Sequence, residues 1–501
     1  MADSPQRITA HDLIDNVLDP GSWVSWDGPA PTVAAAGTSY AADLAAAADR
    51  SGVDESILTG EGTVNGRRVA AVVGEFAFLA GSMGRTATER VVLAYERAQR
   101  ERLPLFASPA SGGTRMQEGT PAFVGMVKIA AACTDFKNAG LPYVTYLRHP
   151  TTGGVFASWG SLGHMTTAQP GATIGFLGAR VFETLYGESF PTGVQTAENL
   201  YDNGIIDAIL PLPELKGAVD RALDILGAPM GAPPPVPDEP QERLPETPAW
   251  ESITRSRRDE RPGVRMLLRF GASSVVRLHG TGQGERDPGM LMALARFGGA
   301  TCVLIGHDRR HGILGAPLSP GGLRVARRGM RLSAELGLPL VTVIDTAGAA
   351  LSREAEEGGL AGEIARSLAE LTALPSPTVC VLLGQGTGGG ALAVMPADRV
   401  ICAEHSWLSP LPPEGASAIL HRDTTHAAEL ATAQRVRSAD LLADGIVDHV
   451  VPEHPDAADE PEAFCARMSL SIEHAVTTLV RSDPAERLRR RRERYRRLGV
   501  L

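Results

Sequence analysis

The chain has 501 residues, 43% of them apolar and 21% charged, with a formal net charge of −10 at pH 7. That length supports two large domains with ample cores, and the acidic balance argues against general nucleic-acid binding. No apolar run reaches the length of a membrane span and the opening MADSPQRITAHDL carries no basic-then-apolar leader, so a cytoplasmic protein is expected.

In chain order, HDLIDNVL reads as a short amphipathic segment closed by DPGSW, and Ala34 to Ser51 as an alanine-rich helix. Arg67 to Phe78 reads as a strand, TATERVVLAYERAQRER as a helix, and LPLFASPA as a strand ending in the turn SGGTRMQEG. Phe123 to Ala139 has helical period, and LPYVTYL (Leu141 to Leu147) reads as a buried strand. The segment from QPGATIGFLGARV to ELKGAVDRALDIL closes a first unit, 1–227. Proline and acidic residues dominate 228–248, which reads as an extended, solvated linker. The second unit, 249–501, offers TCVLIGHD as a strand, GLRVARRGMRLSAEL as a helix, LPLVTVID as a strand, GEIARSLAELTAL as a helix and VCVLL as a strand. It ends in the basic helix PAERLRRRRERYRRLGVL, whose charge run reads as a solvated face. Strands and helices alternate in both halves, so both are α/β.

The stretch Pro150-Thr151-Thr152-Gly153-Gly154 joins the strand LPYVTYL to SWGSLGHM, which reads as a helix start. Strand, glycine pair and helix converge backbone N–H groups at a point where they can hold an anionic oxygen. VCVLL followed by GQGTGGGALAVM repeats the arrangement. Gly112 to Gly153 spans 41 positions, as does Gly348 to Gly389, and DNGIID (Asp202 to Asp207) is answered by DGIVD (Asp444 to Asp448). The chain therefore reads as two copies of one unit, each with its own glycine turn, and two turns imply two oxygens.

Plainer readings compete. Either glycine pair alone would be a tight turn with close strand–helix packing; two pairs in register favour function. Gly384-x-Gly386-x-x-Gly389 fits a dinucleotide fingerprint with Glu404 about 20 residues on, but its repeat partner keeps only the Gly-Gly, so that reading is rejected. Ser111 and Ser158 lack the GxSxG context of a nucleophile and read as caps or pocket lining. His421 and His426, five apart beside Asp423, have the wrong spacing for a helical metal pair. The five cysteines, Cys133, Cys302, Cys380, Cys402 and Cys465, contain no CxxC and read as buried free thiols.

SGGTRMQEG, LPYVTYLRHPTTGGVFAS and FAFLAGSMG together strongly resemble the β subunit of the carboxyltransferase of bacterial acetyl-CoA carboxylase. IDTAGAALSREAEEGG, GQGTGGGALAV and PEGASAIL resemble the α subunit, and LIDNVLDPGSW is similar to the opening of fused acyl-CoA carboxylase β chains. The resemblance covers nearly the whole chain and implies two crotonase-like ββα spiral domains in tandem, α/β in class. It implies transfer of a carboxyl group from N1-carboxybiotin on a carrier protein to the α-carbon of acetyl-CoA or another short acyl-CoA, giving malonyl-CoA or an analogue.

Residue by residue, the resemblance makes Gly153 and Gly154 the oxyanion hole for the acyl-CoA thioester enolate, with Ser111, Gly112, Gly113 and Arg115 beside them on the acyl-CoA. Gly389, Gly390 and Ala391 would hold the ureido oxygen of biotin, with Gly348, Pro413, Glu414 and Gly415 completing that side. In this chemistry the bond from biotin N1 to the carboxyl group breaks, that nitrogen takes the α-proton, and the enolate carbon bonds to the released CO2. No side-chain base is needed. The zinc-ribbon cysteines of many β subunits are absent, so no metal is expected. Two departures fall on the biotin side: a proline and glycines common in the family are missing from IDTAGAALSREAEEGG, and Pro412 stands where the family has serine.

No biotinylation motif or ATP-grasp region is visible, so the biotin carboxyl carrier protein and biotin carboxylase are expected on separate chains, and this chain is expected to form a homodimer or homohexamer. A biotin-dependent acyl-CoA decarboxylase is the enzymatic alternative. A non-catalytic scaffold or nucleic-acid-binding relative using the basic tail is the other.

Overall fold

The computed structural model describes residues 5–30, 34–235, 247–310 and 317–498. They form two compact units, one ending at Leu226 and one running from Gly227 to the C-terminus, with the loop Gly282–Gly284 counted with the first. Each is mixed α/β around a mostly parallel sheet.

In the first unit the sheet begins as an antiparallel hairpin, β2 (Ile57–Val64) and β3 (Arg67–Gly74), with the two-residue β1 (Val24–Ser25) on its edge. β4 (Leu105–Ser108), β5 (Tyr143–Leu147), β7 (Met165–Ala168) and β9 (Ala208–Ile209) follow in parallel. A separate pair, β6 (Thr151–Thr152) and β8 (Ile174–Gly175), stands off the main sheet. Helices cover the parallel strands, which are buried on both faces and so read as continuous apolar runs. Helices Arg85–Arg100 and Gly119–Asn138 pack together on one face, and Tyr95, Phe136 and Tyr143 meet edge to face beneath them.

The second unit repeats the plan. β10 (Ser274–Leu278), β11 (Met290–Phe297) and β12 (Ala300–His307) are antiparallel; β13 (Leu340–Thr346), β14 (Thr378–Thr387), β15 (Arg399–Ala403) and β17 (His449–Val451) continue in parallel. β16 (Trp407–Ser409) pairs with the far end of β14. The crossover helix Pro320–Leu336 starts where the Ser319 hydroxyl accepts the Gly321 N–H, and stops at Gly337, whose φ of +63° no β-carbon favours.

Three expectations change. The hairpin strands β2 and β11 go unseen in the sequence reading. SWGSLGHM is no helix: after Gly153 the chain makes successive turns, with the Ala157 N–H donating to the Gly153 carbonyl at 3.1 Å. Of the expected linker, 236–246 lies outside the described residues, and 228–235 is not a solvated tether. The Gly231 N–H donates to the Gly299 carbonyl at 2.8 Å, and Arg481 donates to the Gly231 carbonyl at 3.0 Å. Among the described residues no helix is long and apolar enough to cross a membrane.

The basic C-terminal helix, Pro484–Arg497, is a clasp on one face. Arg491 is fully buried, donates to both oxygens of Asp398 and to the carbonyls of Leu371, Leu374 and Ser376, and so ties those segments together. Arg487 and Arg494 are likewise tied down, to the Pro375 carbonyl and to Asp448, whereas Arg489, Arg490 and Arg497 form a solvated face, paired to Glu486 and Glu493. All five cysteines are buried and none is joined in a disulfide.

Candidate active site

In the first unit three separate segments close on one point. The Gly112 N–H donates to the Ala80 carbonyl at 2.8 Å, and the Met83 N–H to the Gly113 carbonyl at 2.9 Å, fastening SGGTR to FAFLAGSMG. The Ser111 N–H donates to the Pro150 carbonyl at 2.7 Å and the Thr152 N–H returns a bond to the Ser111 carbonyl at 2.8 Å, fastening SGGTR to PTTGG. Gly153 sits at φ +66° with Gly113 only 3.2 Å from where its β-carbon would be, so it is restricted to glycine by approach as well as by dihedral, while Gly113 is restricted by its φ of +116° alone.

The structure redistributes the roles expected here. The Gly153 N–H is already donated to the carbonyls of Gly175 and Phe176 at 3.1 and 3.0 Å, so it cannot serve an oxyanion. Gly154 is partly exposed, and its N–H has no acceptor among the described residues. Ser111 is buried and turned inward. Its hydroxyl donates to the Gly81 carbonyl at 2.5 Å and accepts the Gly113 N–H at 3.0 Å, shaping the loop instead of meeting a ligand. Arg115 is also no surface ligand. It is fully buried in a bidentate pair with Glu55, reaches Glu118, and donates to the Ser82 carbonyl at 2.7 Å. Burial works against its charge, and Glu55 more than offsets this, holding its pKa above the usual guanidinium value.

The second unit builds the same turn. Gly348 (φ +131°) answers Gly113 (φ +116°), and Gly388 (φ +64°) answers Gly153. The repeat register is therefore one residue away from the Gly112–Gly348 and Gly153–Gly389 pairing read from the sequence. The bridges agree: Met83 with Thr114 and Leu318 with Ala349 are equivalent parallel contacts. Gly388–Leu392 is a short helix whose N-cap, Thr387, supplies no side-chain bond, and the N–H groups of Gly389 and Gly390 have no acceptor among the described residues. Ala391 is fully buried in that turn. Gly384 and Gly386 lie inside β14, where Asp345 and Leu408 occupy the space of their side chains, which accounts for the fingerprint without a nucleotide.

A cavity of about 250 Å³ opens beside this turn, lined among others by Gly348, Ala349, Leu318, His307, Asp345 and Gln385. A β-carbon on Gly390 would touch Ala349 and Leu318 at 3.4–3.5 Å, so the turn and the cavity share a wall. Under it lies a buried ionic layer: Arg309 meets Asp345 at 3.3 Å, Asp345 accepts the Gln385 N–H at 3.2 Å, and Arg261 pairs with Glu453 at 2.6 Å. Burial raises the pKa of Asp345, with Arg309 and Arg261 opposing. Pro413, Glu414 and Gly415 do not line the cavity. Glu414 acts at one remove, holding Arg257, which lines the cavity and reaches Gln385 at 3.3 Å. His307, Asp345, Arg309 and Gln385 escape sequence reasoning because they come from three segments far apart in the chain that only the sheet brings together.

Each unit thus carries one copy of the same glycine turn. The carboxyl transferase domain family matches residues 4–491. The chain belongs to that family. Its relatives include the probable biotin-dependent acyl-coenzyme A carboxylase beta3 subunit of Mycobacterium tuberculosis (strain ATCC 25618 / H37Rv), 59% identical over 495 residues that cover 99% of each chain. The acetyl-coenzyme A carboxylase carboxyl transferase subunits beta/alpha of Salinispora tropica are 38% identical over 516 residues, 99% of this chain and 91% of that one. Among solved structures, transcarboxylase 12S with methylmalonyl-coenzyme A and methylmalonic acid bound superposes with a TM-score of 0.75 at 20% identity, covering 95% of this chain and 91% of the other. A single-chain, multi-domain long-chain acyl-CoA carboxylase gives 0.71 at 20% identity, over 92% of this chain and 45% of that one. The carboxyltransferase is thus a biotin-dependent enzyme of the acyl-CoA carboxylase group, with a transcarboxylase-like fold.

Proposed function

We propose that this carboxyltransferase moves a carboxyl group from carboxybiotin, presented on a separate carrier protein, to the α-carbon of a short acyl-CoA such as acetyl-CoA. The observation that carries the reading is the internal duplication of the turn: one copy holds each of two oxygens that become anionic. In the first unit, the Gly154 N–H, set by the Ser111 cap and the Gly113–Gly153 approach, meets the thioester oxygen as the enolate forms. In the second, the N–H groups of Gly389 and Gly390 meet the ureido oxygen, in a cavity whose polar wall suits a cyclic urea. Carboxybiotin supplies the carboxyl group; the chain supplies fixed dipoles that need no reorganisation as charge develops, each worth about 2.7–4 kcal/mol in comparable oxyanion holes. Holding both substrates against one another contributes the rest.

We also infer two crotonase-like units in tandem, and sites shared between chains of a homodimer, stacked further into a hexamer. Both units leave apolar side chains in water: Met116 (82% exposed), Phe123 and Val127 on the first, Leu351 (95%), Ile419 and Leu420 on the second, with Met116 and Leu351 close in sequence after the turn glycines Gly113 and Gly348. Such exposed apolar side chains favour burial against a second copy. The transcarboxylase 12S of known structure is itself a hexamer. The test of the activity is carboxyl transfer from malonyl-CoA and methylmalonyl-CoA to free biotin. Turnover of either supports the reading, and a purified, folded protein inert with both and with longer acyl chains overturns it.

A further inference from the structure

The cavity beside the second glycine turn contains a polar side chain that nothing among the described residues satisfies. His307 ends β12, is 2% exposed, lines the cavity, and has no hydrogen-bond partner at either ring nitrogen among the described residues. The groups around it are already committed: Asp345 to Arg309 and the Gln385 N–H, and Arg257 to Glu414. Two backbone groups come near the ring, the carbonyls of Val343 and Gly390, and both are acceptors. Burial lowers the imidazole pKa to about 4, so the ring is neutral at pH 7 and carries one N–H and one lone pair. Either carbonyl can take the N–H after a small ring adjustment. The lone pair, by contrast, finds no N–H or O–H to accept among the described residues. What this buried ring lacks is a donor, and the cavity is the side from which one can come.

A cyclic urea carries the complementary set: a carbonyl oxygen flanked by N–H. Resting on the reading that this cavity takes the ureido ring, we propose that His307 is a positioning residue that accepts a ureido N–H and thereby aims the ureido oxygen at the N–H groups of Gly389 and Gly390. The nitrogen it would hold is the one that does not carry the carboxyl group, so the contact lasts through the transfer and takes no part in bond making. It also supplies selectivity, since a ring ester or N-alkylated urea of the same size leaves the imidazole unpaired, and rejecting an analogue that lacks one hydrogen-bonding group is what a buried polar partner does well.

The experiment uses the full-length protein without its carrier and biotin methyl ester as the probe, with affinity read by saturation-transfer NMR and acyl-CoA affinity and melting temperature measured alongside. His307→Phe is expected to weaken the probe about tenfold or more while leaving acyl-CoA affinity and melting temperature unchanged. His307→Asn, whose amide oxygen can accept in place of the ring, is expected to stay within about threefold of wild type. Probe affinity in His307→Phe equal to wild type, or equal losses in the two variants, overturns the proposal. So does loss of acyl-CoA affinity in step with the probe. Transfer from malonyl-CoA to free biotin by the wild type separates the two ideas: a wild type that transfers while His307→Phe binds normally refutes only the role of His307. A wild type that neither transfers nor binds the probe refutes the cavity reading as well.

Discussion

Ser111 and Thr346, 235 positions apart, cap equivalent turns in the two units, since each side-chain oxygen accepts the N–H of the glycine two residues on, Gly113 at 3.0 Å and Gly348 at 3.1 Å. Each glycine then runs at a φ above +100°, a conformation that side chains with a β-carbon rarely adopt. Removing the hydroxyl should therefore loosen one site and spare the other. Ser111→Ala is expected to raise KM for acyl-CoA with little change for free biotin, and Thr346→Val to do the reverse. Each should cost about 1–2 kcal/mol of stability for an unsatisfied N–H. Kinetics with both substrates varied check this; an equal effect of each variant on both KM values would contradict it.

The two glycines of the first turn should separate stability from activity. Gly153 has φ +66° and a close neighbour in Gly113, so Gly153→Ala is expected to lose about 1–2 kcal/mol of stability from the dihedral alone. A β-carbon on Gly154 would meet Met126 Cγ and Thr114 Oγ1 at an ordinary 3.5 Å, so Gly154→Ala should fold like wild type. Its methyl group lies beside the free N–H, and transfer to acyl-CoA should fall about tenfold or more. Urea unfolding and steady-state rates on the same preparations decide between this pattern and a shared structural role.

How much of this was legible in the chain depends on what each residue answers to. The glycine turns could be read because positive φ and close backbone approach leave glycine as the residue that fits, wherever the chain is folded. Their register could not, because Gly112 and Gly389 flank the restricted positions and look the same in sequence. Strand β2 was missed because Gly60 and Gly62 make ILTGEGTV look like a loop. In the structure Trp23 and Leu18 lie over them and occupy the space of their side chains, a tertiary reason with no local trace. The Asn65-Gly66 turn after it, both residues at positive φ, was the available signal for a hairpin. Arg115 and Arg491 show the opposite limit: a charged residue buried by its partners looks in sequence like one that reaches for a ligand or for water.

Arg115 itself gives the third prediction. Its removal leaves Glu55 buried without its counter-charge, so Arg115→Met is expected to cost about 3–5 kcal/mol, seen as a lowered urea midpoint. Arg115→Met with Glu55→Gln should recover part of that loss. A direct acyl-CoA contact would instead raise KM with the midpoint unchanged, and that result would restore the ligand role the sequence suggested.

The pH dependence of stability should carry the mark of His164. Burial lowers its pKa to about 3, while the Tyr143 N–H donates to its Nδ1 at 3.0 Å. The unfolded chain, with an ordinary histidine near 6.5, binds the proton more readily than the folded one. Stability is therefore full above about pH 6.5 and falls as pH drops from there toward 3, by roughly 1.4 kcal/mol per unit for this group. His164→Asn keeps an acceptor for Tyr143 but does not titrate, so its stability between pH 6.5 and 5 should slope less than that of wild type by up to one proton. Parallel slopes in denaturant titrations would rule this out.

The assembly is open to a test that does not need a structure of the complex. If each site joins the first unit of one chain to the second unit of another, a defect in either unit kills every site of a pure variant. Gly154→Val and Gly390→Val suit the purpose, since β-carbons at both positions meet neighbours at 3.4–3.5 Å and each protein should fold. In a mixed dimer, one site combines the two damaged turns and the other combines the two intact ones. Random exchange makes about half the dimers mixed, and half the sites in those are whole, so activity should return to roughly a quarter of wild type. The recovery should appear only under conditions that let subunits exchange, and should grow with exchange time. If each chain closes its own site, every site in the mixture keeps one damaged turn, and the mixture stays inactive however long it is incubated.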